Sequence, residues 1–360
     1  MKRVLPSRKH PTRPGARAFD SGMHPARPSA RGFLTMLAAL VVLVLAAFAA
    51  GCGDDDDDGG DSGQKDDVAL TQGRDLSIAV ITHGEGDSFW AVAKRGAEKA
   101  GEDMGVEVKY SESANDPQKQ AQLIESAVTE KVDGIATSLP DPDALGDPVK
   151  SAVDAGIPVI TLNSGAGDYA ALGAITHVGQ DEAIAGEAAG NRLADEGGQK
   201  LICVVHEQGN IGLEERCAGA RKGFGGEVEN LQVKGVADIA TSTTELQSKL
   251  ESDDAVSAIL TLNPDIAVAA RDAVAGASSE AALATFDLSG DVVTAIKDGE
   301  ILFAVDQQQY LQGYLPVVFL TLFNENANTV GGGLPVLTGP GFVDETNADT
   351  VEKLATEGTR

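Results

Sequence analysis

SIAVITHGEGDSFW, residues 77 to 90, compresses a strand, a turn and a helix start into one short stretch. Ser77 to Ile81 is apolar and β-branched, Gly84 and Gly86 mark a turn, and Phe89 and Trp90 lead into an Ala- and Lys-rich helical pattern. Trp90 is the single tryptophan of 360 residues, and aromatics are only 4% of the chain. Two of them side by side at a strand–helix junction need a reason. The same junction recurs 123 residues on: Val80-Ile81-Thr82-His83 falls on Cys203-Val204-Val205-His206, and Gly96, Ala97 and Lys99 fall on Gly219, Ala220 and Lys222. With a shift of 124, Ile135, Pro140 and Asp141 fall on Ile259, Pro264 and Asp265, and Thr161-Leu162-Asn163 falls on Thr285-Phe286-Asp287. Landmarks that keep their order at strand ends read as two domains related by duplication.

Outward from this stretch, strand and helix patterns alternate. Apolar β-branched runs lie near 76–82, 106–110, 132–137, 157–162, 201–205, 231–236, 256–262, 281–286 and 301–305. Between them, Asp116-Pro117 is a cap followed by proline in the first turn, with Ile124, Ala127 and Val128 as an apolar stripe. A further helix is expected to start after Asp143 and end at Gly156, before Ile157-Pro158-Val159-Ile160. The alternation predicts an α/β fold of doubly wound parallel sheets covered by helices on both faces. A core of Val, Ile, Leu and Ala, implied by 42% apolar residues and few aromatics, suits strands buried on both sides.

The first fifty residues differ. Residues 1 to 32 hold eight Lys or Arg and one acid, Asp20; then comes FLTMLAALVVLVLAAFAA, then Gly51-Cys52. A basic region, an apolar core and small residues form an export signal, and the small residues before Cys52 resemble a lipoprotein box, so Cys52 is the expected lipidation site. GDDDDDGGDSGQKDD, residues 53 to 67, cannot bury enough apolar surface to fold and reads as an acidic tether. The expected location is extracytoplasmic, anchored by lipid to the cell membrane. A formal charge of −27 argues against nucleic acid as a partner, since phosphate binding needs basic surface.

Ligands of open parallel sheets bind outside the carboxyl ends of the strands. Two facing domains would line one cleft with His83, Asp87, Ser138, Asn163, Asn263 and Asp287, together with Arg216 and Gln307, beside Phe89 and Trp90. Carboxylates, amides and a guanidinium next to an aromatic floor suit a ligand with many hydroxyls and an apolar ring face, a sugar. Each residue has a plainer reading as well. Phe89 and Trp90 could be core, Asp87 or Asp287 a helix cap, Asn263 a turn residue, Arg216 half of an ion pair, and Gln307 a solvated helix start.

At these positions the chain resembles the ribose- and galactose-type substrate-binding proteins of bacterial sugar ABC transporters. The resemblance rests on the strand–turn–aromatic opening, DGIATSLPDPDAL, AGIPVITLN, the Arg216–Gly219 segment, LTLNPDIAVAA, ATFDLSG and FAVDQQQYLQGYLPV, in that order. It implies a type I periplasmic-binding-protein architecture: two Rossmann-like lobes joined by three crossing segments. The expected division is a signal over 1–51, a tether over 52–74, one lobe from 75–178 plus 308–338, the other from 179–307 plus 339–350, and a tail over 351–360. It implies that Phe89 and Trp90 stack on the ring, that His83 and Asp87 contact it from the same loop, and that Arg216, Asn263, Asp287 and Gln307 supply the second lobe and hinge. Asn163 stands where the family commonly has Asp, Ser164 where ribose-type proteins often have Arg, and Ser138 where an Asn is common. A ribose pocket therefore does not follow.

The implied function is capture of a simple sugar for delivery to an ABC permease and its ATPase, by a monomer without cofactor. The alternative is presentation of a furanosyl signal, a cyclitol or a sugar alcohol to a membrane receptor. An enzyme is disfavoured: Gly84-Glu85-Gly86-Asp87-Ser88-Phe89 begins like a dinucleotide fingerprint but lacks its third glycine, and Phe89 would obstruct the packing there. No metal-ligand spacing occurs among the histidines and cysteines. Cys203 and Cys217, in a strand and the helix that follows it, are expected to form a disulfide in an exported protein.

Overall fold

The computed structural model describes residues 75–360. The first part of the chain gives β1 (Ser77–Thr82), α1 (Ser88–Met104), β2 (Glu107–Glu112), α2 (Pro117–Glu130), β3 (Gly134–Ser138), α3 (Pro142–Asp154), β4 (Val159–Asn163) and β5 (His177–Gly179). The middle gives α4 (Glu182–Asp195), β6 (Lys200–Val205), α5 (Ile211–Phe224), β7 (Glu227–Gln232), α6 (Ile239–Ser252), β8 (Ala258–Thr261), α7 (Pro264–Gly276), β9 (Ala282–Phe286), α8 (Gly290–Lys297) and β10 (Phe303–Asp306). The last part gives α9 (Gln309–Asn326), β11 (Val336–Leu337), β12 (Gly341–Asp344) and α10 (Glu352–Glu357).

The strands make two sheets of the same design. One has the order β11-β5-β4-β3-β1-β2, the other β12-β10-β9-β8-β6-β7. Pairing is parallel throughout except where β12 runs against β10. Inner strands β3 and β4 are buried along their whole length, because helices cover both faces of the sheet. One face of the first sheet packs Ile81, Ile135, Leu139 and Val149; the other packs Val80, Phe89, Ala97, Leu162 and Val317. The second sheet repeats this with its own two clusters. These two parallel α/β lobes are the type I periplasmic-binding-protein fold.

Three segments pass between the sheets: after β5, between β10 and α9, and between β11 and β12. They touch at Gly339, where an added Cβ would meet Gln307 Cα at 2.9 Å and Gln180 Oε1 at 2.9 Å. Only glycine lets the three crossings approach so closely.

The structure departs from the sequence reading in a few places. The strand expected over 231–236 lies at Glu227–Gln232. It is an edge strand with one half-polar row, so its apolar content does not mark its limits. The helix expected to start after Asp143 is capped by Asp141, which accepts from Ala144 N at 3.0 Å, with Pro142 in its first turn. The segment 351–360, read as a tail, contains α10 and ends with Arg360 Nε 2.8 Å from Asp306 Oδ2. β5, β11 and β12 are too short to carry a periodic signal. Cys203 and Cys217 are joined as a disulfide, with Cα atoms 5.8 Å apart. The signal, the tether and Cys52 lie outside the described residues. Among the described residues no helix is long and apolar enough to cross a membrane.

Candidate functional site

The turn after β1 builds the first wall. Gly84 has no side chain, and the Trp90 indole lies against its Cα, in space that any Cβ would fill. Asp87 caps α1, its Oδ1 accepting from Trp90 N at 2.8 Å, which fixes where the aromatic pair begins. Trp90 is 3% exposed and wedged edge-on between His83 and Phe89, with ring centroids 4.8 Å away on each side. Phe89 belongs both to the core behind this wall and to the cavity in front of it.

Strand ends supply the polar groups. Asn163, the last residue of β4, and Asp287, directly after β9, both adopt left-handed backbone, with φ of 61° and 73°. These are the two residues that the duplication superposes, and Asn and Asp are the side chains that tolerate this conformation best. Asn163 Nδ2 donates to Gln312 Oε1 at 3.2 Å, and its Oδ1 accepts from Ser164 Oγ at 2.9 Å. Asp287 Oδ1 accepts from Gln307 Nε2 at 2.7 Å, and Gln307 Oε1 in turn accepts from Gln312 Nε2 at 2.8 Å. Asn263 caps α7 through Oδ1 and donates Nδ2 to Asp87 Oδ2 across the cleft at 3.3 Å.

The buried charges are mostly paired. Arg216 reaches Glu182 with Nε to Oε2 at 2.6 Å and Nη2 to Oε1 at 3.0 Å, and its Nη1 donates to Leu262 O at 3.3 Å. Burial works against the guanidinium charge, but Glu182 outweighs it and holds the pKa above the usual arginine value. His83 Nε2 lies 3.3 Å from Glu207 Oε2. Burial pushes the Glu207 carboxyl up, but His83, His206 and the Asn210 amide outweigh it, so it stays ionised. Asp87 and Asp287 have no such partner: burial pushes Asp87 up to about 8 and Asp287 to about 7, the latter despite Arg216 and Gln307.

These groups surround a small cavity between the strand ends of the two sheets. His83, Asp87, Phe89, Trp90, Asn163, Arg216, Asn263, Asp287 and Gln307 all line it. Ser138 does not line it. It is fully buried behind His83, its Oγ accepting from His83 N at 2.9 Å and meeting His83 Nδ1 at 2.8 Å. It orients the imidazole instead of facing the cavity. Glu207, Asn210 and Leu213 line the cavity but escaped the sequence reading. The duplication held the missing signal: at a shift of 123, Asn210 falls on Asp87 and Leu213 on Trp90. Asn210 caps α5 as Asp87 caps α1. Among the described residues no group of His, Cys, Asp and Glu is placed to hold a metal.

A family model for the periplasmic binding protein domain matches residues 78–322. The chain belongs to the periplasmic binding protein family. Among curated members, the ribose import binding protein of Haemophilus influenzae is 28% identical over 67% of this chain and 83% of its own. The fructose import binding protein of Bifidobacterium longum is 27% identical over 64% of this chain and 74% of its own. Among solved structures, a carbohydrate transporter from Acidothermus cellulolyticus in complex with myo-inositol superposes with a TM-score of 0.78 at 43% identity, covering 80% of this chain and all of that one. This places the chain among the extracytoplasmic sugar-binding components of ABC transporters, which are receptors and not enzymes.

Proposed function

We propose that this protein is the receptor of an ABC importer for a small, uncharged, polyhydroxylated ring, with a cyclitol of the myo-inositol kind favoured over ribose. The observation that carries this is the state of charge in the cavity. Arg216 is engaged by Glu182 and His83 by Glu207, while burial pushes the Asp87 and Asp287 carboxyls up. Among the described residues lining the cavity no unpaired Arg or Lys is left over for an anionic ligand, and hydroxyls can donate to the carboxyl oxygens and accept from the Asn163, Asn263 and Gln307 amides. The indole of Trp90 offers the apolar face of a ring its floor.

Two features support a cyclitol over ribose: Ser164 and Asn163 replace the Arg and acid common in ribose-type proteins, and the relative solved with myo-inositol is 43% identical. Delivery to a membrane permease and anchoring through Cys52 complete the reading, with the acidic stretch 53–67 as the leash. A thermal-shift screen against myo-inositol, other cyclitols, pentoses, hexoses and sugar alcohols tests it. The expected result is a rise in melting temperature with myo-inositol larger than with D-ribose, accompanied by a change in Trp90 emission. A shift with ribose alone, or with anionic ligands alone, would overturn it.

A further inference from the structure

The ring cavity has a neighbour on the other side of His83. A second space lies between Asn115, Pro117 and Gln120 of one lobe and the turn at Gln208 and Gly209 of the other. Both spaces are lined by His83, Glu207 and Asn210, so these three side chains are the partition. The partition is made by contacts between lobes: His83 Nε2 is 3.3 Å from Glu207 Oε2 and 3.2 Å from Asn210 Nδ2. Each half is braced from behind. Ser138 holds His83 from one side, and Asn210 Nδ2 donates to Glu207 Oε2 at 2.6 Å on the other. Glu207 itself is 9% exposed.

We infer that Glu207 is a specificity-determining residue, whose bridge to His83 walls off the ring cavity and confines the ligand to a single ring bearing a free hydroxyl at that wall. The inference rests on the polyol reading of the cleft. A carboxylate only accepts hydrogen bonds, and a buried one must keep its donors. A free hydroxyl of the ligand can donate to Glu207 and preserve the balance. A glycosidic oxygen has no proton, so a ring substituted there would break the bridge, leave Glu207 without its His83 partner and set two acceptors against each other. The outer space adjoins the ring cavity only through this partition, and the partition is what excludes a substituent.

The test measures binding of myo-inositol and of the set of mono-O-galactosyl myo-inositols to the wild-type protein and to Glu207→Ala and Glu207→Ser. The wild type is expected to bind the free ring and to bind every galactoside about 100-fold more weakly or worse. Each small variant is expected to bind at least one galactoside within about tenfold of the free ring, a gain that mere loosening of the fold does not produce. Two small variants guard against one that does not fold. A wild-type protein that takes a galactoside within tenfold of the free ring would overturn the inference. So would folded variants that bind the free ring and still refuse all galactosides. If the wild type binds no polyol at all, the reading of the cleft falls, and this inference with it.

Discussion

Asp87 does three jobs at once. Its Oδ1 caps α1, its Oδ2 meets Asn263 of the other lobe, and it lines the ring cavity. The sequence reading allowed a cap and a ligand contact together, and the structure shows the cap on α1 with Asp87 also lining the cavity. Its raised pKa also makes the ligand-free protein sensitive to pH. The carboxyl rises from 3.8 to about 8 in the fold, first through burial and then through the nearby charges of Glu207, Asp265 and Asp287. The folded state therefore holds a proton that the unfolded chain releases. The resulting stability is complete below pH 3.8 and is lost as pH rises towards 8. Asp287 acts the same way up to about 7. His177 and His206, both lowered by burial, act in the opposite direction: their contribution is present above 6.5 and lost below it. Glu207, lowered from 4.5, is constant above that value. The clean window is thus pH 6.5 to 8, where the melting temperature of the ligand-free protein is expected to fall as pH rises. Asp87→Asn keeps a good capping residue and should flatten that slope; a variant with the wild-type slope would contradict the assignment.

Single elements show what a sequence can and cannot disclose. α2 was legible because Asp116-Pro117 states its start outright, and Asp116 Oδ1 does accept from Lys119 N at 3.0 Å. β7 was misplaced by several residues because an edge strand with one solvated face has no continuous apolar run. The Cys203–Cys217 link joins β6 to α5 within the second lobe. Its 14-residue separation corresponds to about 3 kcal/mol from restricting the unfolded chain. Denaturant titration of the oxidised protein against protein refolded under reductant should show a loss of about that size. An unchanged midpoint would mean that the link contributes nothing to stability. Ser138 shows the limit of reasoning from strand ends: position gave its address, but its side chain turns to His83 and not to the cavity.

At the scale of the molecule, the fold was legible because it is stated twice. Strand order, strand-end residues and even the left-handed backbone at Asn163 and Asp287 repeat between the lobes. The contacts that close the cleft were not legible. Ser88 N donates to Asp265 Oδ2 at 3.1 Å, Asn263 meets Asp87, and Glu207 meets His83, each pair more than a hundred residues apart with no local pattern to mark it. Closure is a property of both lobes together, and the central claim is that both grip one uncharged ring. Isothermal titration with myo-inositol tests that claim most directly, using the wild type, Trp90→Ala on the first wall and Asp287→Ala on the second. The expected result is saturable one-to-one binding by the wild type and a loss of about tenfold or more in each variant. Absence of binding by the wild type, or weakening by a change in one lobe with full affinity after the other, would contradict it.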